Sequence, residues 1–332
     1  MILVTGATGF LGHSLIPRLA ASGHNLRVLV RPTSYTTWMQ PYNIELYHGD
    51  ITEPDSVLRA AEGVSAIIHA AALFRFWGDP AQFHRINVTG TANILAAAIQ
   101  HRITRLVHIS TVVVVGKPTS TDPITEDTPC HPLDGYQHSK LHAESLVKTA
   151  VANHGLPAII LRPAAFYGPG GRYAWNRLFF EDPLMRGLRV QIFRGQRLTF
   201  PVYVADVAQA AELALTRGQP GHVYNIADDP ITHRHANTVI SRAAGVSEFR
   251  LNVPASGMLL LARLLTALGR LTGHEPFYPD TLAHYVFPDW NVSSARARAE
   301  LGFTPTPFKT GVRATLDWYA QTGLLKRPRT AS

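Results

Sequence analysis

Three glycines spaced three apart, between the first strand-like and the first helix-like segment, constrain what this chain can fold into. Thr5-Gly6-Ala7-Thr8-Gly9-Phe10-Leu11-Gly12 follows the apolar run Met1–Val4. It leads into Phe10, Leu11, Leu15, Ile16 and Leu19, which are apolar at helical spacing. Such a turn brings bare backbone N–H groups to a helix N-terminus, where the dipole favours a phosphate. Gly6 permits the tight turn, Gly9 the approach of a pyrophosphate, and Gly12 close helix–strand packing. Thr8, Phe10 and Leu11 share the turn and are candidate dinucleotide contacts. A glycine trio alone equally fits an ordinary strand–turn–helix. Its place after the first strand, and a charged residue ending the next strand, favour the dinucleotide.

Strand and helix then alternate through the first half. Strands are predicted at Ile2–Thr5, Leu26–Val30, Ile44–His48, Ala66–Ala70, Leu106–Ser110 and Ala158–Leu161, with helices near Phe10–Ala21, Pro54–Glu62, Phe83–His101 and Tyr136–Asn153. Short apolar strands alternating with helices predict an α/β fold, a Rossmann-type doubly wound parallel sheet. Pro17 should kink the first helix. After Arg162 the loops lengthen and Gly and Pro cluster at Gly168-Pro169-Gly170-Gly171. The expected division is a dinucleotide domain over residues 1–165, with returns near 200–228, and a smaller, partly helical substrate domain over 166–325.

Composition excludes several classes. A single cysteine, Cys130, permits no internal disulfide and suggests a reducing, cytoplasmic compartment. The net charge of +8 suits an anionic ligand. The basic residues are scattered apart from Lys326-Arg327-Pro328-Arg329, so no nucleic-acid partner is expected. His138 and His142 are four apart, and His233 and His235 alternate, but neither pair has a third ligand, and no metal site is expected.

Arg31 ends the second predicted strand, where this fold faces the adenosine ribose. A carboxylate there would repel a 2′-phosphate, whereas a guanidinium attracts it. No Asp or Glu occurs from Leu26 through Gln40. NADP(H) is therefore expected as cofactor ahead of NAD(H). Ala70, Ala71 and Ala72 end the fourth strand with side chains small enough for the dinucleotide to pass. Tyr136 and Lys140 are four apart on a predicted helix and share a face. A lysine ammonium one turn away, together with the positive charge of a bound nicotinamide, should lower the tyrosine pKa and make the phenol usable as acid and base.

Glycines in this spacing, followed in order by Tyr136-Gln137-His138-Ser139-Lys140, resemble the extended short-chain dehydrogenase/reductase family. The resemblance extends to about Tyr319 and is weakest over 254–288. It implies Thr111 as a third catalytic residue, donating to the substrate oxygen, with Ser110 as a backbone neighbour of the nicotinamide. It implies that Asp50 accepts from the adenine amino group, that Ile51 flanks the ring, and that Asn87 serves in the helix behind the site. Pro163 and Phe166 complete the cofactor contacts, and Tyr136 and Lys140 join them through the nicotinamide ribose. The family also implies a homodimer, joined by the helices near Phe83–His101 and Tyr136–Asn153.

The same catalytic group serves reductases, epimerases and dehydratases. Sugar-nucleotide dehydratases carry an Asp-Glu pair where this chain has Val112-Val113, and sugar-nucleotide enzymes an Asn where it has Ala165. What remains resembles the branch of 3β-hydroxysteroid dehydrogenases and dihydroflavonol-reductase-like proteins, to which Leu161-Arg162-Pro163 is usual. The expected pocket walls are Phe74, Phe76, Trp77, Val112–Val115, Phe166, Tyr173 and Trp175, and the expected substrate a bulky, hydrophobic carbonyl or secondary alcohol, sterol- or flavonoid-like. Two alternatives stay open. The first is a nucleotide-sugar epimerase with bound NAD, since Asn87–Ala97 and the Arg-Pro-Thr-Ser turn resemble hopanoid-associated sugar epimerases. The second is a non-enzymatic NADP-binding sensor. Residues 256–272 are mostly apolar, with Arg263 and Arg270 their only charges, and read as a lid, a dimer-facing helix or a peripheral membrane contact.

Overall fold

The computed structural model describes residues 1–325, so the basic run at Lys326–Arg329 lies outside the described residues. Its centre is a seven-stranded sheet. The strands are β1 (Ile2–Thr5), β2 (Leu26–Val30), β3 (Ile44–His48), β4 (Ala66–His69), β5 (Arg105–Ile109), β6 (Ala158–Pro163) and a last strand, Val223–Ile226. They lie in the order Val223–Ile226, β6, β5, β4, β1, β2, β3, and every neighbouring pair is parallel. Strand order reverses between β1 and β4, and the crevice at that reversal is where such a sheet receives a ligand.

Alternate residues of β1 enter opposite cores. Ile2 and Val4 pack with Leu15, Ile16 and Leu19 of helix α1 (Gly12–Ala21). Leu3 packs with Val57 of α2 (Pro54–Ala60) and with Ile94 and Leu95 of the helix Gly90–Gln100. Both faces are thus covered, so β1 and β4 are buried throughout, whereas β3, at the edge, has only half-buried or exposed residues. Pro17 lies in the second turn of α1, and the helix runs on past it to Ala21. The long helix Gly135–His154 begins where Asp134 accepts from the Gln137 N–H, and ends at Gly155, whose φ of +62° suits a left-handed cap.

Two predicted strands end one residue early. Ala70 and Ser110 leave the ladder after His69 and Ile109 and turn toward the crevice. The segment predicted as one helix over 83–101 starts at Pro80 and contains a π-turn, His84–Thr89, before the helix Gly90–Gln100. The helix Val204–Arg217 packs on α1, and the seventh strand follows it. A third core, with Tyr167, Trp175, Phe180, Val312 and Tyr319, holds the C-terminal half together.

Gly12 sits so close to the turn that a Cβ there would lie 1.8 Å from the Ala7 carbonyl oxygen, a backbone atom that cannot step aside cheaply. Gly12→Ala is therefore expected to lose about 3 kcal/mol of stability, as overpacking of a close contact does. Urea denaturation measures this, and an unchanged midpoint would contradict the packing role.

Candidate active site

At the reversal lies a cleft of about 380 Å³. Of the predicted site residues, Gly6, Gly9, Phe10, Leu11, Ala70, Ala72, Ser110, Thr111, Tyr136, Lys140 and Phe166 line it. Thr8, Gly12, Arg31, Asp50, Ile51, Ala71, Asn87 and Pro163 do not. Arg31, Asp50 and Ile51 follow the ends of β2 and β3, on the same edge of the sheet but outside this chamber. Arg31 is exposed, and its guanidinium has no hydrogen bond or ion pair among the described residues. Asp50 has one carboxylate oxygen taken by Thr52, whose N–H and hydroxyl donate to it at 2.8 and 2.9 Å.

The glycine turn is tied to the substrate side through buried hydrogen bonds. Gly6 has φ +75°, and a Cβ on it would lie 2.6 Å from the Ala70 carbonyl carbon. The Ala71 N–H donates to Thr5 Oγ1 (3.2 Å), Thr5 Oγ1 meets His69 Nδ1 (2.7 Å), and His69 Nε2 meets Thr91 Oγ1 (3.0 Å). Thr91 already donates to the Asn87 carbonyl (2.7 Å). It must therefore accept from His69 Nε2–H, and His69 Nδ1 then accepts from the Thr5 hydroxyl. A neutral imidazole is required, and burial lowers the His69 pKa to about 3. Asn87 accepts from the Leu73 N–H (2.7 Å) and donates to the Leu73 carbonyl (3.0 Å) and Ser139 Oγ (2.9 Å). Those bonds hold the loop that carries Phe74 and Phe76.

Thr111 caps the turn Val112–Val115 at the end of β5 and stands beside the Tyr136 phenol. Lys140 is buried and donates to the Ile109 carbonyl at 2.7 Å. Burial lowers its pKa to about 8, against the opposing charge of Glu144. The expected lowering of Tyr136 by Lys140 is not what the chain alone does. Burial pushes the phenol well up, Thr111 opposes this, and Asp134 adds to it. Burial thus favours the protonated phenol. Ser110 is also more than a backbone neighbour, since its hydroxyl donates to Glu144 Oε1 at 2.6 Å.

Glu144 was not legible as a site residue. It receives Arg162 through both carboxylate oxygens, from Nε at 2.9 Å and Nη2 at 2.7 Å, all fully buried. The available signal was spacing: Glu144 follows Lys140 by four residues, as Lys140 follows Tyr136. Tyr285 was missed as well. It lines the cleft and donates to Asp134 Oδ2 at 2.6 Å, from a segment that periodicity did not place.

The walls are aromatic. Phe74 packs on Tyr136 with ring centroids 4.6 Å apart, and Phe76 stacks on Tyr173 at 5.2 Å. Val113, Phe166 and Trp175 line the cleft as expected, but Trp77, Val112, Val114 and Val115 do not. The three valines are turned into the core by the tight helical turn they form. A dinucleotide suits this cleft on the hydrogen bonding of the turn as well as on its spacing. The Phe10 and Leu11 backbone N–H groups, at the N-terminus of α1, donate to no other group among the described residues.

Residues 2–227 match the family model described as "NAD dependent epimerase/dehydratase family", and the chain belongs to that family, as an NAD(P)-binding oxidoreductase of Rossmann fold. A 4-hydroxy-2-methyl-3-oxo-4-farnesyl-3,4-dihydroquinoline-1-oxide ketoreductase of Stigmatella aurantiaca is 31% identical, with 90% of each chain covered. A dTDP-glucose 4,6-dehydratase of Streptomyces niveus is 28% identical, with 96% of this chain and 92% of that protein covered. The crystal structure of gox2253 superposes with a TM-score of 0.84 at 32% identity, covering 98% of this chain and 99% of the other.

Because Lys140 loses its proton more readily folded than unfolded, its contribution to stability depends on pH. Between about pH 8 and 10.5 the unfolded chain holds a proton that the folded chain has released, so stability rises with pH relative to a variant lacking the group. Wild type should thus gain on Lys140→Met from pH 7 to 10, by up to roughly 3 kcal/mol. Paired denaturation curves at several pH values check this, and a constant difference would contradict it.

Proposed function

We propose that the protein is an NADP-dependent ketoreductase, reversibly interconverting a carbonyl and a secondary alcohol on a bulky, apolar substrate. The observation that carries this reading is the company Tyr136 keeps: the proton donor faces a chamber walled by Phe74, Phe76, Phe166, Tyr173 and Trp175. An apolar, aromatic wall desolvates a hydrocarbon skeleton and gives a sugar diphosphate few partners. The absence of an acid pair at Val112-Val113 and of an amide at Ala165 supports it, as does the farnesyl-bearing substrate named for the Stigmatella relative.

Each residue then has a task. Thr111 and Tyr136 would hold the substrate oxygen, and Tyr136, kept protonated by burial, would give it the proton. Lys140 would orient the nicotinamide ribose and hold a positive charge near the phenolate formed. The Phe10 and Leu11 N–H groups would take the pyrophosphate, and Arg31 the 2′-phosphate. NADPH, when bound, supplies the hydride.

One observation favours an epimerase acting on a nucleotide sugar: Arg75 and Arg172 line the cleft and are the type of group that grips a diphosphate. Both are engaged otherwise. Arg172 pairs with Glu181, and Arg75 lies over the Tyr173 ring, 4.0 Å from Glu275.

Titration with NADPH and NADH tests the cofactor assignment. Wild type is expected to prefer NADPH. Arg31→Glu should weaken NADPH at least about tenfold, the scale of a hydrogen bond to a charged group, and leave NADH nearly unchanged. Tight NADH binding indifferent to Arg31 would instead favour the epimerase.

A further inference from the structure

The helix Ala255–Thr272 has two apolar faces. Met258, Leu259 and Ala262 point inward. Leu260, Leu261, Leu264, Leu268 and Leu271 point out, at 60, 46, 61, 56 and 86% exposure. At 3.6 residues per turn those five leucines fall within an arc of about 100°, opposite the buried face. Arg263 and Arg270, both exposed, flank the stripe on one side. The helix carries no acidic residue, and neither arginine has an ion pair among the described residues. Its 18 residues, of mean hydropathy 1.2, are apolar enough by composition to cross a membrane. The Thr266 hydroxyl, however, bonds both the N–H (2.9 Å) and the carboxylate (3.3 Å) of Asp280, fastening the inner face to the domain. The helix therefore lies along whatever covers its leucines.

Beneath it is an apolar cavity of about 120 Å³. Leu178, Phe179, His233, Leu282 and Val286 line both this cavity and the catalytic cleft. The two chambers adjoin across side chains that are apolar or, for His233, kept neutral by burial, which lowers its pKa to about 4.

We propose that the leucine face of Ala255–Thr272 seats on the surface of an anionic lipid bilayer, and that the cavity beneath the helix receives the hydrocarbon tail of a lipid-borne substrate whose carbonyl reaches Tyr136. This rests on the reductase reading above for the identity of the reacting group. Charge favours a bilayer over a second copy of the chain. An antiparallel two-fold pairing of this helix would set Arg263 and Arg270 beside their own copies with no carboxylate on the helix to meet them, whereas anionic headgroups beside buried leucines satisfy both.

Flotation with vesicles of phosphatidylcholine, with and without phosphatidylglycerol, tests the docking. Wild type should float with the anionic vesicles, less so at high salt. The triple variant Leu260→Gln, Leu264→Gln, Leu268→Gln should lose at least about tenfold in partitioning. Arg263→Gln should lose about fivefold on anionic vesicles alone. All three positions of the triple variant are exposed, so unchanged NADPH affinity is its control for folding. Displacement of an apolar dye by 2-hexadecanone tests the tail cavity: Met258→Trp should weaken it severalfold and leave flotation intact. Absence of flotation would overturn the docking, and so would a solution mass that falls only in the triple variant, which would identify a copy interface. Displacement indifferent to Met258→Trp would overturn the passage. Failure of flotation with intact NADPH preference removes this inference and leaves the reductase reading, and the reverse outcome does the opposite.

Discussion

The approach of Gly6 to the end of β4 is the contact on which the site depends. Only a residue without a side chain can lie against the Ala70–Ala71 peptide there, since a Cβ would come within 2.6 Å of its backbone atoms. That approach lets the turn after β1 and the turn after β4 share one crevice. A buried chain of hydrogen bonds then carries the geometry onward from Ala71 through Thr5, His69 and Thr91 to Asn87, which grips Leu73. The glycine turn and the aromatic wall of the cleft are therefore set by one continuous network. Each member is satisfied, which the low dielectric of the interior demands.

The second constraint is charge. Lys140 and Arg162 are buried with one carboxylate, Glu144, near both. Arg162 takes Glu144 bidentately, leaving Lys140 with a backbone carbonyl and a depressed pKa. An incompletely compensated buried cation costs stability in the chain alone, and tolerance of that cost at the cleft is characteristic of a functional position. The phenol beside it is held neutral by the same burial, so acid and ammonium coexist a turn apart on one helix.

Much of this was legible in the sequence because it is local. The glycine spacing, the start of five of the first six strands (the fifth begins at Arg105, one residue before the predicted Leu106), and the four-residue step from Tyr136 to Lys140 need only neighbouring residues to be read. The fold class follows from their alternation. What was not legible depends on contacts made across the chain. The partner of Asn87, the Leu73 backbone, is reached from the π-turn at His84–Thr89, which no local pattern announces. Val112, Val114 and Val115 looked like pocket walls until their tight turn directed them into the core. Tyr285, Leu282 and Val286 reach the cleft from a segment with no periodic signal, some 150 residues from Tyr136 in the chain. Burial, which raises the Tyr136 pKa in the chain alone, is likewise invisible in the spacing, which reveals a nearby lysine but not its depth.

The most direct test of the central claim is the fate of a labelled hydride. NADPH deuterated at C4 is mixed with the purified protein and a bulky apolar ketone, and the products are read by mass spectrometry. The account predicts consumption of NADPH matched by deuterium in the secondary alcohol, and neither in Tyr136→Phe. No net consumption with apolar ketones, together with interconversion of sugar nucleotides on a retained dinucleotide, would contradict it.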